Sequence, residues 1–245
     1  MDTVLFDLDG TLAGFSQKPF IDKYFGELAK VFVKMGMDAG QSIKAVWAGT
    51  KAMLHNDGSM LNKERFWITF ADSLGLDREQ TETIEAACDS FYTNEFNAVK
   101  SILSHSEIPA RLVRHLVEWG YDLVLATNPL FPECAVETRL GWIGLSLGDF
   151  KHITHYANSS FCKPSLKYYE EIFSKIRREP HHCIMVGNNP SEDMVVHKLG
   201  ARVHLVTDFL ENEEGADITE FRHGTLEEVA KELMSMPGIM RGFLF

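Results

Sequence analysis

Positive charge is what this chain has least of: 24 Lys and Arg stand against 35 Asp and Glu, a net charge of -11. A nucleic-acid binder usually shows a basic stripe, so the balance argues against that class of partner. Cysteine is also sparse. Cys88, Cys134, Cys162 and Cys183 are scattered, with no Cys-x-x-Cys spacing and no His pattern of the zinc kind. Isolated thiols in a chain of 245 residues point to a reducing compartment. His152 with His155, and His181 beside His182, suit surface or edge positions better than a shared metal. No apolar run approaches the ~20 residues that cross a bilayer. No signal peptide is visible, because the first residues already read as a strand. The expectation is a cytoplasmic protein without a membrane partner. Repeats and low-complexity tracts are absent as well.

What is present is an ordinary globular composition, 45% hydrophobic, at a length that suits one α/β domain with an insert. Residues 3–6 form an apolar run that reads as a buried strand. From Pro19 to about Phe96 helical spacing dominates. Phe20, Tyr24, Phe25, Leu28, Phe32 and Met35 recur on one face. Helices follow over about 38–55, 62–74 and 77–96, with Asp38 as an N-cap and Asn56-Asp57-Gly58 as a turn. No strand interrupts them, so this stretch reads as a separate helical bundle. From Pro109 onward, strands near 121–126, 152–156, 183–186 and 202–206 alternate with helices. Alternation predicts a doubly wound parallel sheet, with the bundle inserted after its first strand. The expected division is a core of residues 1–14 and 103–245 and an insert of 15–102, hinged near Leu12–Ser16 and Asn97–Ser106. The apolar tail, Ile239, Met240, Phe243, Leu244 and Phe245, suits packing back on the core, or else an interface.

Four strand ends carry polar groups. The first strand stops in Asp7-Leu8-Asp9-Gly10-Thr11-Leu12, two carboxylates at alternate positions. Open α/β sheets bind their ligands at such ends, and two acids backed by Gly-Thr suggest a nucleophile with a metal. The second strand stops in Thr127-Asn128-Pro129, whose hydroxyl and backbone N–H groups suit phosphate oxygens, though the same residues also make an ordinary turn. Lys163-Pro164 precedes a helix; alone it reads as a surface lysine before a helix start. The last is Gly187-Asn188-Asn189-Pro190-Ser191-Glu192-Asp193, where Asp193 is by itself a helix cap. Glu192, next to it on a helix, is expected to face solvent.

Taken in this order, the four segments resemble motifs I to IV of the haloacid dehalogenase (HAD) superfamily, over roughly residues 1–12 and 108–235. The insert resembles a C1-type helical cap in position and helical character. The resemblance implies a Rossmann-like core and a Mg2+-dependent phosphomonoesterase for a small phosphorylated metabolite. It implies Asp7 as nucleophile, Asp9 as general acid and base, and Thr127 and Lys163 as further catalytic groups. Gly10, Thr11 and Asn128 would hold phosphate, and Asp7, Asp9, Asn188 and Asp193 the metal. An Asp two past the nucleophile favours phosphoryl transfer over carbon–halogen cleavage. The family pattern has an acid where this chain has Asn188. An amide oxygen still ligates Mg2+ but adds no charge, so weaker metal binding is expected.

The cap residues that would select substrate are Lys18, Lys51, Arg65 or Trp47, each equally at home as surface or core. Two further readings stand beside hydrolysis. A phosphomutase of the same superfamily would need cap groups for a sugar bisphosphate. A non-catalytic phosphate-binding regulator would account for Asn188. The chain is expected to act as a monomer or homodimer.

Overall fold

A computed structural model describes residues 1–239. Six strands form one parallel sheet: β1 (Thr3–Phe6), β2 (Asp122–Leu125), β3 (His152–Ile153), β4 (Cys183–Gly187), β5 (Arg202–Val206) and β6 (Arg222–Gly224). Their order is β3-β2-β1-β4-β5-β6. β1 is central, with Thr3 opposite Asp122 on one side and Cys183 on the other. Every residue of β1, β2 and β4 is buried, which is why these segments read as continuous apolar runs. Successive side chains point to opposite faces. Val4 and Phe6 therefore join one core cluster, and Leu5 joins another with Val124, Met185 and Tyr168. The sheet is doubly wound, as its alternating pattern predicts.

The place of the polar chemistry is set by one topological fact. The chain runs from β1 out to β2 and β3, then returns to β4 on the other side of β1. The reversal opens a crevice at the carboxyl ends of β1 and β4, the position where such sheets take ligands.

Four helices of the insert follow β1: α1 (Gln17–Lys34), α2 (Ala39–Leu54), α3 (Asn62–Leu74) and α4 (Arg78–Thr93). Asp38 caps α2 by accepting from the Gln41 N–H at 2.7 Å. The helix expected to reach Phe96 stops at Thr93, because Asn94 leaves helical backbone (φ -117, ψ -84); a 3-10 segment, Glu95–Ile102, continues from there. The insert is fastened to the core at the start of α3. The buried Asn62 donates its N–H to Ser159 O (2.9 Å), and Lys63 donates to Tyr156 O (2.8 Å).

The core helices are α5 (Ile108–Glu118), α6 (Glu133–Trp142), α7 (Leu166–Ile176) and α8 (Leu226–Met234). Two elements depart from expectation. β6 is a short, largely exposed edge strand, Arg-His-Gly, with none of the apolar alternation that announces a strand. The segment after β4 is a 3-10 helix beginning at Met194, not an α-helix from Glu192. The start of the tail returns to the core: Tyr121 OH donates to Pro237 O (2.8 Å) and Ile239 N to Trp119 O (2.8 Å). Met240, Phe243, Leu244 and Phe245 lie outside the described residues. Among the described residues no helix is long and apolar enough to cross a membrane.

Candidate active site

The expected residues converge at the carboxyl ends of β1, β2 and β4. Asp7 follows β1 directly and is held there by its own N–H, which donates to Val186 O at 2.9 Å. Its carboxylate is nearly buried. Lys163 Nζ donates to Asp7 Oδ1 (2.8 Å) and to Asp193 Oδ1 (2.6 Å), so one ammonium joins two carboxylates. Lys163 is 2% exposed. Burial opposes its charge, but Asp193 and Asp7 outweigh burial and hold its pKa well above the ordinary lysine value. The other Asp193 oxygen accepts the Asn189 N–H (3.0 Å), so both of its oxygens are engaged. Burial pushes the Asp193 carboxyl up, against the pull of Lys163.

Two glycines make this packing possible. A Cβ on Gly187 would lie 2.3 Å from the Asp193 Cγ, so only glycine leaves room for that carboxylate. Gly10 has φ +80, and a Cβ there would lie 2.2 Å from Asn188 Nδ2. Gly10 and Thr11 thus sit beneath the site and do not line its cavity. Their N–H groups close the turn on Ala13 O (2.8 Å) and Leu8 O (3.2 Å), and are not free for phosphate. The Thr11 hydroxyl instead lies between Asp7 Oδ2 (3.1 Å) and Asn188 Oδ1 (3.2 Å). Asn188 turns its amide nitrogen the other way, donating to Phe209 O at 2.6 Å.

Thr127 and Asn128 both face the cavity. The Thr127 carbonyl is fixed by Thr154 Oγ1 (2.6 Å) and Tyr168 OH (2.9 Å). Asn128 Nδ2 donates to Glu192 Oε2 at 3.3 Å, while its Oδ1 is buried without a partner. Glu192 therefore faces the cavity, contrary to expectation. Asn189 Oδ1 accepts the N–H groups of Ser191 and Glu192 (3.0 Å each), so Glu192 lies in a turn before the 3-10 helix, where helical geometry does not apply. Burial raises its pKa.

Asp9 lines the same cavity with one oxygen buried and unpartnered; the other pairs with Arg139 Nη1. Arg139 is fully buried, and its guanidinium carbon sits 4.4 Å from the Phe131 ring centroid. Burial pushes Asp9 up to about 6 against the pull of Arg139. Glu211, in the loop after β5, completes the acidic floor. Burial, with Asp7 and Glu192 nearby, pushes it up to about 7. Sequence reasoning missed both residues. Arg139 shares the buried face of α6 with Ala135, Val136 and Leu140, and that spacing was the available signal. Glu211 follows a strand end, as the other site residues do, but no acid stands directly behind β5.

Five carboxylates, Asp7, Asp9, Glu192, Asp193 and Glu211, thus share the floor of one cavity with Lys163 and Arg139 as their cations. Among the described residues no three His, Cys, Asp or Glu side chains are spaced to hold a metal by themselves. The donor chemistry nevertheless fits a hard cation: Asp7 Oδ2 and the amide oxygen of Asn188 flank a single hydroxyl, in an acidic surround that its own cations leave in excess.

A sequence model of a hydrolase family, described as haloacid dehalogenase-like hydrolase, matches residues 1–196. A search of curated proteins returns no match. Solved structures share the fold. A HAD phosphatase from Thermococcus onnurineus is 19% identical, with a TM-score of 0.58 over 98% of this chain and 100% of that one. A putative HAD-hydrolase from Bacillus subtilis, bound to magnesium, is 20% identical, with a TM-score of 0.57 over 95% and 98%. A 2-haloacid dehalogenase from Pseudomonas syringae pv. Tomato DC3000 is 16% identical, with a TM-score of 0.59 over 96% and 98%.

Proposed function

This chain belongs to the haloacid dehalogenase-like hydrolases, and from that membership we propose that it hydrolyses phosphomonoesters of small molecules with Asp7 as nucleophile. The observation that carries the reading is the joint placement of Asp7 and Asp9 on one cavity floor, with Lys163 buried against Asp7. A dehalogenation has no leaving alkoxide and needs no acid at the Asp9 position.

Asp7 attacks phosphorus through one carboxylate oxygen as the bond to the leaving oxygen breaks, giving an aspartyl-phosphate. Asp9 gives its proton to that oxygen, and the alcohol departs. A pKa of about 6 leaves Asp9 able to hold the proton in this step and to accept one in the next. Water then attacks the phosphorus, Asp9 takes its proton, and phosphate leaves with Asp7 restored. Arg139 orients Asp9 by holding one oxygen and leaving the other toward the cavity. Lys163, Thr127 and Asn128 stand where the equatorial phosphoryl oxygens gather charge. Asp7, the Asp9 carbonyl and Asn188 would hold Mg2+, which supplies charge neutralisation between carboxylate and phosphate. Asp193 acts from behind, through Lys163. The helical insert serves as the cap that excludes water from Asp7.

The test is hydrolysis of p-nitrophenyl phosphate with and without Mg2+, on wild type beside Asp7→Asn. Turnover that needs Mg2+ and vanishes in the variant supports the mechanism. Turnover that persists in the variant removes Asp7 from its role.

A further inference from the structure

The cavity above Asp7 is walled very differently from its floor. Its volume is about 400 Å³, enough for a small ligand, and it rises between α1, α2 and α3. Among the described residues no Lys, Arg or His lines it. Lys163 and Arg139 lie at or behind the floor, committed to Asp7, Asp193 and Asp9. Lys18 pairs with Asp22, and Arg65 bonds to Asn56, Asp57 and Ser59; neither lines the cavity, and nor does Lys51.

The walls are aromatic and aliphatic: Phe20, Phe25, Trp47, Phe66, Trp67 and Phe70 among others. Several polar groups between them are spent, while the buried Trp67 Nε1 remains a single neutral donor. Tyr24 and Tyr92 share one hydrogen bond between their hydroxyls (2.7 Å), and the Thr50 hydroxyl donates to Val46 O (2.9 Å). Asp89 adds negative charge to the wall. A second phosphate or a carboxylate on the substrate would meet no counter-charge there, and an unpaired ion is strongly disfavoured out of water. A sugar would exchange the water on its hydroxyls for rings.

The packing of the insert alone does not account for these walls. Phe32 and Phe70 are fully buried and serve its core, but Trp47 is 48% exposed and Leu54 45%, and both line the cavity. The Trp47 ring is held 4.9 Å from Phe25. An apolar path therefore runs from solvent to the carboxylate floor.

We propose that the alcohol half of the substrate is apolar: the enzyme takes an aryl or medium-chain alkyl phosphomonoester with no second anionic group. This rests on the phosphatase reading above, and it excludes a bisphosphate mutase. Trp47 is assigned as a specificity-determining residue at the mouth.

The test uses the full chain with Mg2+ and the series methyl to octyl phosphate, with glycerol phosphate and a sugar bisphosphate as polar controls. Each added methylene should raise kcat/KM about four-fold, the transfer free energy of one buried CH2, until the chamber is full. Glycerol phosphate should fall about ten-fold or more below propyl phosphate. Trp47→Ala should narrow the octyl-to-methyl ratio. Binding of methyl- and octylphosphonate, which are not hydrolysed, is followed in parallel by calorimetry. Turnover with a flat series, or a preference for either polar control, overturns the apolar chamber and leaves hydrolysis standing. A steep phosphonate series without turnover of any ester does the reverse. Flat binding without turnover overturns both.

Discussion

At the floor of the cavity Asp7, Lys163 and Asp193 are each held by the next, through bonds of 2.6 and 2.8 Å. In the roof, Tyr24 lies against the rings of Phe20, Phe25, Phe91, Tyr92, Phe96 and Phe131 at centroid distances of 4.8–6.3 Å. The floor is a chain of obligatory partners, in which removing one group strands another charge. The roof is a set of overlapping dispersion contacts, in which any one is small and many substitute for it. Chemistry needs the first kind of order, since charge must stand at fixed points. Enclosing an apolar group needs only the second.

The contrast is sharpest in activity. Asp7→Asn should lower turnover by roughly 10³-fold or more while the fold persists, because an isosteric amide does not attack phosphorus. A volume-conserving roof change such as Ile21→Leu should cost under about 1.5 kcal/mol of stability and leave the chemical step in place. Single-turnover rates on both variants check this. A roof variant as dead as the floor variant would break the division.

Stability should divide the same way. Lys163→Met leaves Asp7 and Asp193 buried without their cation and should cost about 3–5 kcal/mol. Phe66→Leu, which keeps its apolar character, should cost less than half of that. Urea midpoints for the pair decide the matter. Equal losses would mean that the ammonium is not what holds the floor.

How far each region was legible in the sequence follows from the same difference. Asp7, Asp9, Thr127, Asn128, Asn188 and Asp193 sit in turns after buried strands, where polar residues interrupt apolar runs and stand out; Lys163 stands before α7 and is told from a surface lysine only by its order among them. Their convergence follows from strand order alone. Gly10 and Thr11 stood out equally, but their position under Asn188 depends on a turn geometry that no spacing encodes. Arg139 stayed hidden because an arginine in a helix is ordinarily solvated, and only its register with Val136 and Leu140 betrays its burial. Helical periodicity gave the roof's elements, yet not which rings turn inward on a cavity. That depends on how α1, α2 and α3 cross. Trp47 lines the space while Lys18, Lys51 and Arg65 do not.

Of floor and roof, the floor should carry the larger response to pH near neutrality. Asp9 at about 6 and Glu211 at about 7 stand above ordinary carboxylates, so the folded chain keeps protons that the unfolded chain releases. Their contribution is therefore fully present below about pH 4 and is lost as pH rises from there through about 6 and 7, by on the order of 2 kcal/mol after allowing for partial exposure. In the roof, burial pushes Cys88 up to about 12, holds Tyr24 and Tyr92 above the ordinary tyrosine value, and raises only Asp89 among its carboxyls. Denaturation midpoints of wild type and Glu211→Gln from pH 5 to 8 test the assignment. An identical slope in both would remove Glu211 from it.

The smallest expected effect probes the one place where the floor departs from its family's pattern. Asn188 serves two directions at once: its oxygen faces Thr11 beside Asp7, and its nitrogen donates to Phe209 O at 2.6 Å. Asn188→Asp replaces that donor with an oxygen, setting a carboxylate against a carbonyl. Without metal the variant should be less stable than wild type by about 1–2 kcal/mol, the cost of an unmade buried hydrogen bond. With Mg2+ the added charge should tighten binding, and the stabilisation that grows with metal concentration should exceed the wild-type gain. The amide then reflects a choice of a prebuilt floor over a tighter metal, since it satisfies the Phe209 carbonyl whether or not an ion is bound. Thermal unfolding across a Mg2+ titration separates the two effects. A variant equal to wild type without metal would show that the Phe209 bond carries no weight, and an unchanged Mg2+ dependence would place Asn188 away from the ion.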